Sequence, residues 1–298
     1  MTVTVNPADR SAARRSLQGL ALGDAFGERW FPRFRERQPA REQIRDRRVP
    51  EETDWRWTDD TAMALALHGV LERHGEVDQD RLAAAFARAY ADDGSRGYGQ
   101  GMRVLLPRLL AEPGRWRALA PELFDGGSLG NGAAMRVAPL GAWFAADLAT
   151  VVRQAGLSAR VTHAHPEGVA GAVAVAVAAA LSVRGELSPA AVAAHTPPGL
   201  VHDGLVRAAG LPPATEPGRA AEILGSGAGI RADDTVPFAV WTAARHPDDL
   251  EAALWSTAEG FGDVDTTCAI TGGIVAAATG LDRIPAVWIA SSEPLPGG

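Results

Sequence analysis

The residues best suited to chemistry stand in two short acidic stretches far apart in the chain. Trp57-Thr58-Asp59-Asp60-Thr61 is the first, and Gly262-Asp263-Val264-Asp265-Thr266 is the second. Each sets two carboxylates beside threonine hydroxyls and opens onto an apolar segment. Thr58 has the residue type of a helix N-cap, and Asp59 and Asp60 fall in the first turn, facing the positive end of the helix dipole. A well-capped helix would account for either stretch alone. Capping uses one side-chain oxygen, however, and each stretch offers more. Hard divalent cations such as Mg²⁺ or Mn²⁺ take oxygen ligands of this kind. Two such pairs, each at a helix start, point to a metal site shared between them.

Three further stretches could line such a site. Gly126-Gly127-Ser128-Leu129-Gly130-Asn131-Gly132 is a glycine-rich loop ahead of a helix expected from Ala133. Such a loop can turn backbone N–H groups toward a phosphate, or be a tight inter-helix connection. It lacks the lysine of a Walker A loop, and no strand precedes it as a dinucleotide fingerprint requires. Thr162-His163-Ala164-His165-Pro166 reads as a helix start with proline near N1. The two histidines lack the spacing and third ligand of a zinc site, so a hydrogen-bonding role suits His163 better. From Arg29 to Arg48 arginine recurs with few apolar residues, and Pro32 and Pro39 read as breakers. A solvated loop explains this run, and a lid whose arginines meet phosphate is the functional alternative. Asp233-Asp234-Thr235 reads as a cap. Asp263-Val264-Asp265-Thr266-Thr267 also matches an aspartyl-phosphate string, but a turn precedes it where that chemistry needs a buried strand.

The elements that must position these residues are helices. Apolar residues recur at helical spacing over Ser11–Ala25, after Thr58, and over Asp80–Ala91, Gln100–Leu110, Ala133–Phe144 and Glu167–Val183. The same holds for Pro189–His195, Asp203–Ala209, Arg219–Leu224, Thr235–Arg245, Pro247–Gly260 and Thr266–Gly280. Gly19 and Gly23 would let another backbone approach the first helix closely. Period-two strands and fixed-period repeats are absent, so the pattern predicts an all-α fold. The 298 residues, 46% of them hydrophobic, suffice for a large core, and no stretch reads as a linker. One domain over residues 1–298 is expected, with a disordered tail from about 291. A net charge of −7 argues against a general nucleic-acid or membrane-surface binder. The run Gly168–Val183 is short of the roughly 20 apolar residues of a membrane span and reads as a buried core helix. The N-terminus shows no signal peptide, and the single Cys268 permits no internal disulfide, which fits a reducing, cytoplasmic setting.

Taken in order, five of these stretches are familiar. Gly19-Leu20-Ala21-Leu22-Gly23-Asp24-Ala25-Phe26-Gly27 comes first, then Thr58-Asp59-Asp60-Thr61, then Gly127–Arg136, Thr162-His163 and Gly262–Thr266. The set resembles the ADP-ribosylglycohydrolase family, which includes dinitrogenase-reductase-activating glycohydrolases and ADP-ribosyl-acceptor hydrolases. The resemblance runs from about Ser16 to Trp288. It implies a compact orthogonal multi-helix bundle with two Mg²⁺ or Mn²⁺ ions at the bottom of a cleft. Thr58, Asp59, Asp60, Asp263, Asp265 and Thr266 would be the metal ligands, with Asp59, Asp60 and Asp263 also serving catalysis. Gly127, Ser128, Leu129, Gly130, Asn131 and Gly132 would cradle ADP-ribose with N–H groups toward the diphosphate. Met135, His163 and the aromatic Tyr98 would line it. The implied reaction is hydrolysis at C1″ of the distal ribose of an ADP-ribosylated protein, nucleobase or small molecule. A monomer with no membrane or general nucleic-acid partner is expected.

The chain departs from the family pattern in two places. Phe31 stands where several members carry a flap glutamate, which leaves the acid/base role to Glu28, to Glu51 or Glu52, or unfilled. Leu129 stands where some relatives have an aromatic residue. The alternative is a non-catalytic ADP-ribose binder or a structural, crystallin-like member of the same fold.

Overall fold

The computed structural model describes residues 7–31, 37–49 and 53–296. The helices are α1 (Pro7–Glu28), α2 (Arg37–Arg45), α3 (Asp59–His74), α4 (Gln79–Asp92), α5 (Gln100–Ala111) and α6 (Trp116–Glu122). They continue with α7 (Ala138–Trp143), α8 (Leu148–Arg160), α9 (Pro166–Val183), α10 (Pro189–Ala193) and α11 (Leu200–Ala209). Then come α12 (Pro217–Leu224), α13 (Ala232–Arg245), α14 (Leu250–Ala258), α15 (Val264–Thr279) and α16 (Ala286–Ser291). Among the described residues there is no strand, only two isolated bridges, Trp55 with Ser292 and Gly130 with Arg231. The all-α expectation holds.

The pairing of α1 with α15 organises the site. A glycine stripe at every fourth residue of α1, Gly19, Gly23 and Gly27, lies on the backbone of α15. A Cβ at Gly19 would strike Gly272 O and Ala276 Cβ, and one at Gly23 would strike Cys268 O. At Gly27 it would lie 2.6 Å from Asp265 Cα. The helices therefore run antiparallel in backbone contact, which only glycine permits. This register sets the C-terminal end of α1, with Asp24 and Glu28, against the N-terminus of α15. Helix α9 fills the middle of the core. It is apolar and long enough to cross a membrane, but 83% of it is buried inside the protein, as a core helix would be.

Several local expectations need correction. The arginine-rich run contains α2, and Pro39 lies in its first turn, where a missing N–H breaks no helical bond. Ala40 and Ile44, four apart, bury its inner face. The expected helix from Ala133 is a 3₁₀ turn over Asn131–Ala133, followed by α7 with Pro139 at its start. Helix α8 escaped the periodicity because its buried face mixes Val151 and Ala155 with Thr150, Gln154 and Ser158. The tail expected to be disordered from Ser291 is docked at its start. Trp55 N–H donates to Ser291 O and Glu293 N–H to Trp55 O, both at 2.9 Å.

Candidate active site

The two acidic stretches meet. Thr58 caps α3, its hydroxyl accepting the Asp60 N–H at 3.3 Å. The capping explanation is therefore correct for the first stretch but incomplete. It fails for the second, because Asp263 occupies the cap position of α15 without a side-chain cap bond. Its Oδ2 accepts instead from Asn131 Nδ2 at 2.7 Å, across 132 residues of chain.

Asp24 joins the two helix starts and was overlooked as a site residue, although it stands in the conspicuous Gly23-Asp24-Ala25 string. Fully buried in α1, its Oδ2 accepts from Thr58 N at 2.9 Å, Thr61 N at 3.1 Å and Thr61 Oγ1 at 2.5 Å. One carboxylate oxygen thus holds the first turn of α3. The signal available in the sequence was an acidic residue amid apolar helix positions, where an unpaired charge is costly.

The electrostatics are those of crowded anions. Burial raises the pKa of Asp60 well above the carboxylate range, and the charges of Asp24, Asp265, Asp59 and Asp263 add to it. Asp265 is raised likewise by burial, then by Asp263 and Asp24. Asp59 is pushed up to about 8 by burial and by Asp24, and Asp24 to about 6 by burial against its hydrogen bonds. Asp263 is raised by burial, opposed by the Asn131 hydrogen bond. Asp60, 2% exposed, keeps Oδ2 without a hydrogen-bond partner, and Asp24 does the same with Oδ1. Buried carboxylate oxygens without donors, facing further carboxylates, suit a divalent cation. Thr266, also buried, supplies a hydroxyl beside them. Among the described residues no three His, Cys, Asp or Glu side chains are drawn together in coordinating geometry.

Glu28 sits half-buried at the rim. Burial raises its pKa, Arg29 lowers it, and the charge of Asp263 raises it again. Phe31 follows in the turn, its N–H on Glu28 O at 3.3 Å. Glu51 and Glu52 lie outside the described residues. Tyr98 is 1% exposed, with its ring edge-on to Tyr90 at 5.0 Å. Burial and then the charge of Asp59 raise its phenol, so it adjoins the acidic group from within the core.

The glycine-rich loop adjoins the same place. Gly126 and Gly127 take positive φ, 120° and 93°. Gly130 N–H is taken by Ser128 Oγ at 3.2 Å and Asn131 N–H by Ile230 O at 3.3 Å. Those two amides are therefore bonded within the protein, contrary to the expectation of a loop with its N–H groups turned outward. Leu129 O accepts from Ala232 N at 3.0 Å, which anchors the loop on α13. Asn131 also donates to Thr235 Oγ1 at 3.0 Å, so the Asp-Asp-Thr string set aside as a cap contributes Thr235 to the frame. Met135 is buried behind Gly132, its sulfur 3.8 Å from the position of a Gly132 Cβ.

His163 stands beneath the loop. A Cβ on Gly132 would lie 2.9 Å from its Cε1 and 3.0 Å from its Nε2. Its Nδ1 meets Thr162 Oγ1 at 2.8 Å, and that hydroxyl accepts from Arg136 Nη2 at 2.9 Å. Arg136 can only donate, so the Thr162 proton is free to go to Nδ1, an assignment that puts the imidazole N–H at Nε2, toward the glycines. Burial, then the Arg136 charge, lowers the His163 pKa to about 3, which keeps the ring neutral. His165 diverges from it: its Nδ1 caps α9 through Glu167 N at 3.1 Å.

Comparisons with known proteins bear on the family and the fold. The family model for ADP-ribosylglycohydrolase matches residues 5–294. ADP-ribosylhydrolase ARH3 of Homo sapiens is 32% identical over 278 residues, 80% of this chain and 74% of that protein. The uncharacterized protein YegU of Escherichia coli K12 is 35% identical over 185 residues, 57% of this chain and 54% of that one. A solved structure titled as an ADP-ribosylglycohydrolase-related protein complex superposes with a TM-score of 0.63 at 25% identity, covering 97% of this chain and 94% of its own. With motifs, fold and nearly the full length in agreement, the chain belongs to the ADP-ribosylglycohydrolase family.

Proposed function

We propose that the protein is a divalent-metal-dependent hydrolase that cleaves the C1″ glycosidic bond of an ADP-ribosyl adduct. The observation that carries this reading is the buried Asp60 carboxylate, unpartnered at Oδ2 and facing Asp24, Asp59, Asp263 and Asp265. Thr58, Asp59 and Asp60 would hold Mg²⁺ or Mn²⁺ from one side, and Asp263, Asp265 and Thr266 from the other. When bound, the cations supply the positive charge that orients the ribose hydroxyls and lowers the pKa of a water.

The chain's own residues do the rest. Asp24 fixes the first turn of α3, and Asn131 fixes Asp263. The loop Gly127–Gly132 seats the diphosphate end, and neutral His163 offers its Nε2–H to the loop or to a ligand oxygen above it. Met135 backs the loop and Tyr98 backs Asp59. Glu28, with its proton affinity raised at the rim, takes the proton of the attacking water. Carboxylate charge left beside C1″ stabilises the oxocarbenium character that glycosidic cleavage develops. As the water oxygen bonds to C1″ the bond from C1″ to the acceptor breaks, and the proton taken by Glu28 passes to the departing acceptor atom.

The test is release of free ADP-ribose from arginine-linked, serine-linked and nucleobase-linked adducts and from O-acetyl-ADP-ribose, with Mg²⁺ and with chelator. Metal-dependent release from at least one is expected. Binding of ADP-ribose without release from any would favour the non-catalytic binder, the reading to which Phe31 at the flap position inclines.

A further inference from the structure

Arg96 lies outside the acidic site, yet its contacts bracket Thr58. Its Nη1 donates to Trp57 O at 2.8 Å, and its guanidinium lies over the Trp57 ring, 3.5 Å from the centroid. Its own carbonyl accepts the N–H of Asp59 at 2.8 Å. One residue therefore grips the backbone immediately before and immediately after Thr58. Gly97, at φ 93°, then passes so close that a Cβ would lie 3.5 Å from Asp59 Oδ1.

What holds Arg96 is the C-terminal segment. Nη1 and Nη2 donate to the two oxygens of Glu293 at 2.6 and 2.8 Å, a bidentate pair. Asp93 adds an ion pair to Nε at 2.9 Å. The Arg96 side chain is only 11% exposed and that of Glu293 24%. Glu293 is itself fixed because its N–H donates to Trp55 O, while Trp55 N–H donates to Ser291 O. Trp55 packs on Trp288 of α16 at 5.7 Å. A planar fork held by two charge-assisted bonds is rigid, and that rigidity passes to the turn carrying Thr58 and Asp59.

We propose that Arg96, clamped by Glu293 of the C-terminal strap, is a positioning residue that sets the geometry of the Thr58–Asp60 turn for divalent cation binding. This inference rests on the metal reading given above. It gives the last residues of the chain a part in the site, although they stand far from it in sequence. Partners that orient ligands in this way are worth about 10–100-fold in metal affinity when removed.

The experiment is a titration of the full chain with Mn²⁺, following free and bound ion by electron paramagnetic resonance. Wild type is compared with Glu293→Gln, Arg96→Lys and, as a control, Glu186→Gln, which touches only the exposed Arg184. Glu293→Gln should weaken Mn²⁺ binding about tenfold and broaden the bound spectrum, with helical circular dichroism unchanged. Arg96→Lys keeps the charge but loses the fork, and should weaken it at least as much. Glu186→Gln should match wild type. In the double variant Arg96→Ala/Glu293→Ala the loss should be close to that of Arg96→Ala alone, because Glu293 acts through Arg96 and its other pair, with the exposed Arg56, is long at 3.9 Å. Mn²⁺ affinity of Glu293→Gln and Arg96→Lys within twofold of wild type would overturn the positioning role while leaving the metal reading intact. Failure of wild type to bind Mn²⁺ would defeat the metal reading and the positioning role with it.

Discussion

Two regions of this molecule bury charge, and they do so in opposite ways. Around Arg136 a guanidinium is fully buried with no carboxylate in contact. Its donors reach Gly132 O, Ser158 O, Thr162 Oγ1 and the Met63 sulfur, and its plane lies 4.3 Å from the Phe86 centroid. Only Nε goes without a partner. Burial lowers its pKa to about 9, so the charge is retained at neutral pH. Around Asp60, by contrast, several carboxylates crowd together, and burial first and their mutual charges second raise their proton affinities. The first region is closed: the fold itself answers nearly every donor. The second is open: it has oxygens that no donor among the described residues answers. A buried charge satisfied internally is scaffold, and the unanswered one is where the proposed cation would be held.

Variants can break this contrast, and the largest effect should fall on the open side. Asp60→Ala and Asp265→Ala should each lower turnover about a thousandfold or more, since the cations' stabilisation of the transition state amounts to several kcal/mol. Asp60→Asn should do the same while raising the melting temperature of the metal-free protein, because it replaces a carboxyl that burial and its neighbours make costly to ionise. A lower melting temperature for that variant would contradict the account.

On the closed side the sign reverses. Arg136→Met should destabilise the protein by about 3 kcal/mol in urea unfolding, by leaving Ser158 O, Gly132 O and Thr162 short of donors. Smaller still is Gly132→Ala, whose new Cβ would press on His163. ADP-ribose affinity by calorimetry should fall about tenfold, roughly 1.4 kcal/mol, with little change in unfolding.

The smallest effect is a slope. His163 titrates at about 3 in the folded protein against an ordinary 6.5. Between those values the unfolded chain binds the extra proton, so this histidine costs stability as pH falls below about 6.5 and costs nothing above it. Asp59, raised to about 8, acts in the opposite direction, favouring the metal-free fold at lower pH. The difference between wild type and His163→Asn, measured by urea unfolding at pH 5 and 7.5, isolates the histidine. Wild type should lose more stability than the variant on acidification.

Much of this was legible in the residues. Thr58 and the paired aspartates announced a helix start with surplus oxygens, and the glycines of α1 announced a close helix pair. What the sequence withheld was partnership across distance. Asp24 looked like part of a motif, yet it is the oxygen on which the first turn of α3 hangs. Asn131 read as part of an ADP-ribose cradle, and its side chain holds Asp263, 132 residues away. The arginine-rich run hid a helix because its two inward residues, Ala40 and Ile44, are too few to show a period. Glu293 looked like tail, and no local rule connects it to Arg96, 197 residues earlier. Local pattern identifies elements, but their mutual register depends on packing that a single chain does not display.

The crowded carboxylates are proposed to bind divalent cations. Calorimetric titration of the metal-free protein with Mg²⁺ or Mn²⁺ at pH 7.5, in two buffers of different ionisation heat, tests this most directly. The account predicts saturable binding with net proton release, because carboxylates whose proton affinity is raised by burial and by their neighbours' charges must ionise to accept the cation. No saturable heat in either buffer, or binding without proton release, would contradict it.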